Sequence, residues 1–169
     1  MVRIARARST AEIAIVRELL LEYQGLLGVD LCFQGFEAEV RGLPGAYAPP
    51  AGRLLLATDD DVPVGCIALR AADGDRAEMK RLFVRPSARG LGVGRSLVSV
   101  LLDEARAIGY AEVVLDTLPS MTEAQRLYEE LGFRDIPPYR PNPVPGTRYL
   151  SKHLTRPDAG ARQSGGPGR

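Results

Sequence analysis

Apolar residues alternate with Arg from Val2 to Ala7, which predicts a first strand. Ser9-Thr10 followed by Glu12 reads as a capped helix start. Ile13, Val16, Leu19, Leu20, Tyr23 and Leu27 then recur at three- and four-residue spacing, so one face of this helix packs inward. Gly28 and Asp30 break it, Phe33 to Val40 suits a short second helix, and Pro44, Gly45, Pro49, Pro50 and Gly52 mark an irregular loop suited to walling a ligand site. Arg53 to Thr58, Val62 to Arg70 and Ala77 to Val84 are apolar runs joined by short polar turns, so three consecutive antiparallel strands follow. After Pro86 the period changes. Val93, Leu97, Val100, Leu101 and Ile108 mark a helix ending at Gly109, Ala111 to Asp116 a strand, and Thr122 to Leu131 another helix. Gly132-Phe133 opens a last strand region, prolines at 137, 138, 141, 143 and 145 stiffen the chain beyond it, and Thr147 to Leu150 returns as a strand. Hairpins first and helix–strand alternation later predict an α/β (mixed α+β) protein. Its central sheet is mixed and mostly antiparallel, with six to seven strands and about four helices on both faces.

With 169 residues, one core is the default, taken here as residues 1–154. Residues 155–169 are rich in Gly, Arg, Pro and Ser without periodicity and read as a disordered tail. The 22 basic residues nearly balance the 21 acidic ones, so there is no electrostatic reason to expect nucleic acid or an anionic membrane as partner. Cys32 and Cys66 have neither zinc-ligand spacing nor a disulfide framework, and free thiols in a reducing compartment are expected. The charged N-terminus is unlike a secretory signal and no apolar run approaches 18 residues, so a cytoplasmic location is expected.

The chemistry concentrates in Leu82-Phe83-Val84-Arg85-Pro86-Ser87-Ala88-Arg89-Gly90-Leu91-Gly92-Val93-Gly94-Arg95, a strand, a glycine-bearing loop and a helix start. Glycines let the backbone approach a ligand closely, and successive N–H groups with the positive end of the helix dipole form a pyrophosphate site. Arg89 and Arg95 add charge-assisted donors. Two other phosphate motifs fail on spacing. A P-loop would need Gly at Arg89 and Lys at Arg95, and the dinucleotide fingerprint would need its third Gly at Arg95 or Leu97.

Arg89-x-x-Gly92-x-Gly94 resembles the Gln/Arg-x-x-Gly-x-Gly/Ala signature of the GNAT superfamily of N-acetyltransferases. Leu127-Tyr128-Glu129-Glu130-Leu131-Gly132-Phe133 resembles that family's second landmark, at the usual order and separation. The string from Leu115 to Met121, with Pro138-Tyr139 and Asn142-Pro143-x-Pro145-Gly146, looks like a bacterial subgroup of small GNAT enzymes with mostly unassigned acceptors. The resemblance implies an acetyl-CoA-dependent N-acetyltransferase domain over 1–154, with acetyl-CoA as co-substrate and no metal. The pantetheine would lie in a splay between the fourth and fifth strands, paired with backbone groups of Leu82, Phe83 and Val84. Arg89, Gly90, Leu91, Gly92, Val93, Gly94 and Arg95 would hold the pyrophosphate.

Aminolysis of a thioester requires a neutral amine, a proton acceptor, oxyanion donors and a proton for the departing thiolate. By resemblance Tyr128 supplies that last proton, and Glu78, eleven residues before Arg89, is the candidate base, with Asp116 or a water chain as alternatives. Packing on an amphipathic helix beside Leu127 and Leu131 is the alternative reading of Tyr128. Where many relatives have Asn seven residues before this tyrosine, the chain has Met121, which puts any contact made by that amide in doubt. Lys80, Arg81, Arg140 and Arg148 fall on segments that flank the cleft in this fold and suit an amine that also bears a carboxylate. Strand alternation would put Lys80 and Arg81 on opposite faces. The expected acceptor is a small-molecule amine, an amino acid being the first candidate. The alternatives are a protein N-terminus or lysine side chain, and a non-catalytic acyl-CoA-binding module. A homodimer is suggested by the resemblance alone.

Overall fold

A computed structural model describes residues 1–28 and 35–155. Asp30, Cys32, Phe33 and the tail from residue 156 lie outside the described residues. Four α-helices, α1 (Thr10–Leu27), α2 (Phe36–Arg41), α3 (Val93–Ile108) and α4 (Thr122–Glu130), pack on one seven-stranded sheet. Its strands are β1 (Val2–Arg6), β2 (Arg53–Asp59), β3 (Val62–Ala71), β4 (Arg76–Val84), β5 (Glu112–Thr117), β6 (Arg134–Asp135) and β7 (Arg148–His153). The spatial order is β1-β2-β3-β4-β5-β7-β6. Every neighbouring pair is antiparallel except β4 and β5, which the α3 crossover makes parallel. None of the described helices is long and apolar enough to cross a membrane.

The pleat divides the core in two. On β2 and β3, Leu55, Ala57, Ile67 and Leu69 face α3, while Leu54, Leu56, Cys66 and Ala68 face α1 and α2. Helix α1 begins as its sequence dictates: the Ser9 side chain accepts from the Glu12 N–H, and the Glu12 carboxylate accepts from the Ser9 N–H. Val16, Leu19 and Leu20 are its buried face. Helix α3 buries Val93, Leu97, Val98, Leu101, Leu102 and Ala105 on the other side of the sheet.

Two irregularities create the cleft. β4 and β5 pair only through Arg76–Glu112, Ala77–Val113 and Glu78–Val114, after which the strands diverge. The edge of β4 from Met79 to Val84 is thereby left without a neighbouring strand on the β5 side. Between the Cys66–Phe83 and Ala68–Lys80 pairs, Arg81 and Leu82 together oppose Ile67, and Arg81 has φ +62°. This is a β-bulge, and one extra residue reverses the facing of everything beyond it. The alternation expected for Lys80 and Arg81 is corrected accordingly. Both lie on the α1/α2 face, Lys80 because it alternates with Ala77 and Met79, which face α3, and pairs with Ala68 of the α1/α2 face, and Arg81 by its contacts with α2.

Candidate active site

The splay opens into a cavity of about 700 Å³ whose walls include Leu82, Phe83 and Val84 on one side and Gly90, Gly92 and Arg95 at its mouth. Gly90 (φ +82°) and Gly92 (φ +77°) occupy left-handed backbone, which an L residue enters at a cost of about 1–2 kcal/mol. Gly92 is the N-cap of α3 and places no side chain over the helix end. The first-turn N–H groups of Val93, Gly94 and Arg95 therefore remain available to an anion, reinforced by the helix dipole. A Cβ built at Gly90 or Gly92 would meet no protein atom within 4 Å, so the space in front of this loop is open to a ligand. The Arg89 Nε donates to the Val84 carbonyl (3.2 Å), tying the loop to the end of β4, and Arg95 pairs with Glu130 of α4. The bare β4 edge, the open loop and the uncapped helix end suit, in turn, the amides and the pyrophosphate of coenzyme A.

A second, smaller cavity of about 60 Å³ adjoins the first through Tyr23, Leu82, Met121 and Ala124, which line both. Its polar lining comprises Tyr23, Lys80, Arg81, Asp116, Tyr128 and Asn142. Tyr128 of α4 is buried, and its ring packs at 5.7 Å against Phe133. Burial, with Tyr23 and Asp116 adding to it, raises the phenol far above its ordinary value, so it is protonated at any physiological pH. Among the described residues its hydroxyl donates no hydrogen bond, which leaves it to a ligand. Burial likewise raises Tyr23, to about 12. Asp116, the penultimate residue of β5, has its side chain 11% exposed and accepts from the Asn142 Nδ2 (3.3 Å).

Glu78, the expected base, is placed differently. Its carboxylate accepts from Arg70 (Nε 2.9 Å, Nη2 2.8 Å) and from the Tyr139 hydroxyl (2.7 Å), and it abuts the Arg140 guanidinium. It lines neither cavity. These contacts pin the proline-rich segment to the sheet, and Tyr149 reinforces them by donating to the Arg140 carbonyl (2.7 Å). Asn142 of the same segment is thereby brought to Asp116.

Of the four cations expected around the cleft, three have carboxylate partners. Arg81 pairs with Glu39 (2.8 Å) and lies over the Phe36 ring (4.9 Å), Arg140 meets Glu78, and Arg148 pairs with Asp135 and Glu129 at 2.8 Å each. Arg148 lines neither cavity. Lys80 is 7% exposed and has no salt bridge among the described residues. Burial, then the charges of Arg81 and Arg70, lower its ammonium to about 8 despite opposing attraction from Asp116 and Glu39. Cys66 is buried, and burial pushes its thiol up to about 12, so it is no nucleophile. The sequence marks Tyr23 only as a residue of the inward face of α1. Its place at the junction of the cavities follows from tertiary packing against Phe83 (5.8 Å), which its stripe of helical apolar residues does not signal.

Residues 17–133 match the model of the acetyltransferase (GNAT) family. An uncharacterized N-acetyltransferase of Schizosaccharomyces pombe is 38% identical over 140 residues, covering 82% of this chain and 86% of that protein. An acetyltransferase from Streptococcus agalactiae superposes with a TM-score of 0.76 at 24% identity over 90% of this chain and 98% of its own. An aminoglycoside 6'-N-acetyltransferase complexed with coenzyme A superposes with a TM-score of 0.69 at 20% identity, over 92% of this chain and 99% of its own. The sequence match and the superposed fold agree, and the protein belongs to the GNAT family as an acetyl-CoA-dependent N-acetyltransferase.

Proposed function

We propose that the protein transfers the acetyl group of acetyl-CoA to the primary amine of a small molecule, by direct attack of the amine on the thioester. The observation that carries this reading is the 60 Å³ cavity at the inner end of the donor cleft. At about 10–15 Å³ per water-sized group it admits roughly four to six such groups, which suits the reacting end of a metabolite better than a peptide backbone. A protein-directed enzyme calls instead for a shallow, open groove with acidic residues.

In this reading the pantetheine amides extend the open edge of β4 at Leu82, Phe83 and Val84. The pyrophosphate lies on the N–H groups that follow Gly92, with Arg89 and Arg95 near the loop. The thioester carbon then reaches the junction of the two cavities. The unprotonated amine attacks that carbon, and the bulged Arg81–Leu82 backbone, freed from regular ladder pairing, offers a donor to the oxyanion. As the C–S bond breaks, Tyr128 protonates the sulfur; the same burial that raises the phenol also raises the thiolate, which keeps the two matched. The amine's proton leaves toward Asp116, directly or through water. Asp116 replaces Glu78 in this role because it lines the acceptor cavity, whereas Glu78 holds Arg70, Tyr139 and Arg140.

The test is release of free thiol from acetyl-CoA in the presence of a panel of amino acids, other amine metabolites and a lysine peptide. Turnover confined to a small amine supports the reading. Turnover confined to the peptide overturns it, and donor binding without turnover on any acceptor favours a binding module.

A further inference from the structure

Resting on that reading, we infer that the acceptor is a small zwitterion whose carboxylate sits on Lys80 while its amine lies between Asp116 and Tyr128. A buried ammonium without a partner costs several kcal/mol, and native proteins retain one where something else supplies the counter-charge. Lys80 comes close to this: the residue is more than nine-tenths buried, has no salt bridge among the described residues, and lines the acceptor cavity. Its neighbour Arg81, brought to the same face by the bulge, is neutralised by Glu39, which itself accepts from the Tyr47 hydroxyl (2.8 Å). Arg70 and Arg140 share Glu78. Two guanidiniums thus share one carboxylate, with Arg140 also 3.9 Å from Asp116, and Lys80 alone of these four cations has no carboxylate within salt-bridge distance among the described residues; its natural complement is an anion carried in by the ligand.

Asp116 supplies the opposite pole. One of its oxygens takes the Asn142 amide and lies 3.9 Å from the Arg140 Nε, and its carboxylate borders the same cavity. A cation site and an anion site within a space of about 60 Å³ match an amine and a carboxylate separated by a few bonds. The amine end belongs at Asp116, because Tyr128 and the donor junction adjoin it there and because acyl transfer requires the nitrogen, not the carboxylate, at the thioester. A guanidinium at position 80 would recognise the carboxylate bidentately. The shorter, compact ammonium leaves room for the ligand.

Each amino acid of the panel is assayed against its carboxamide, with wild type, Lys80→Met and Lys80→Arg. In wild type, kcat/KM for the best acid exceeds that for its amide by tenfold or more. The ratio falls to about one in Lys80→Met and recovers in part in Lys80→Arg. A wild type that acetylates small amines without preferring the acid overturns the carboxylate site while leaving the small-molecule reading intact. The chain contains two lysines, Lys80 and Lys152. This permits a readout independent of turnover. Reductive methylation, with coenzyme A present and resolved by mass spectrometry, is expected to slow at Lys80 by threefold or more with propionate, with no slowing from propionamide and no change at Lys152. Equal labelling with both additives overturns the inference even if no acceptor is ever turned over.

Discussion

Replacing Lys80 by Met keeps the unbranched stem and removes the buried charge. The ordinary lysine value is 10.5 and burial lowers Lys80 to about 8. At 1.36 kcal/mol per pH unit, the charged form is destabilised in the folded protein by about 3 kcal/mol. The sign follows from linkage. Below pH 8 Lys80 carries its proton in both the folded and unfolded chain, so the penalty is fully present and does not vary with pH. Between pH 8 and 10.5 the unfolded chain binds the proton and the folded one does not, so wild-type stability rises with pH and the penalty is lost. Lys80→Met is therefore expected to be more stable than wild type by about 3 kcal/mol at pH 7. For a domain of this size that corresponds to roughly 6–12 °C in Tm. The gain should shrink toward zero by pH 10.5. Urea unfolding of both proteins at pH 7, 9 and 10 measures it, and effects of other titrating groups cancel in the difference. A variant no more stable than wild type at pH 7, or a gain that does not shrink with pH, would refute the claim that Lys80 is an unneutralised cation.

Tyr128→Phe keeps the ring against Phe133 and removes only the proton donor, so kcat should fall by about 10²–10⁴ with KM for acetyl-CoA little changed in steady-state assays. Asp116→Asn should lower kcat across the pH range, whereas Glu78→Gln, by loosening Arg70, Tyr139 and Arg140, should mainly raise the acceptor KM and leave the shape of the pH–rate profile intact. Gly92→Ala forces an L residue to φ +77° and pushes a methyl group into the donor cavity. Losing one N–H bond to a phosphate is worth about 1.5–3 kcal/mol, so KM for acetyl-CoA should rise by about tenfold or more.

Elements governed by local rules were legible in the sequence. The Ser9 capping box, the period-two runs of β2 to β4 and the glycine ends of α3 place these boundaries within about two residues of those observed, and the glycine loop after β4 stood out by composition. What escaped is non-local. The bulge at Arg81 carries no glycine to announce it, yet it decides which face Lys80 and Arg81 share. Glu78 was separable from Asp116 only once Arg70, Tyr139 and Arg140, up to 62 residues away along the chain, were seen around it. Tyr23 looked like one more residue of an inward stripe, and only the divergence of β5 from β4 exposes it to the cleft.

In the proposed mechanism the acetyl group passes directly from acetyl-CoA to an acceptor amine held in the same cleft, with no covalent acetyl-enzyme. Initial rates with acetyl-CoA and the acceptor both varied test it most directly. Direct transfer gives double-reciprocal lines that intersect, as both substrates must be bound before the bond to sulfur breaks. Parallel lines, accompanied by acetyl label retained on the protein when acetyl-CoA is supplied alone, would contradict it.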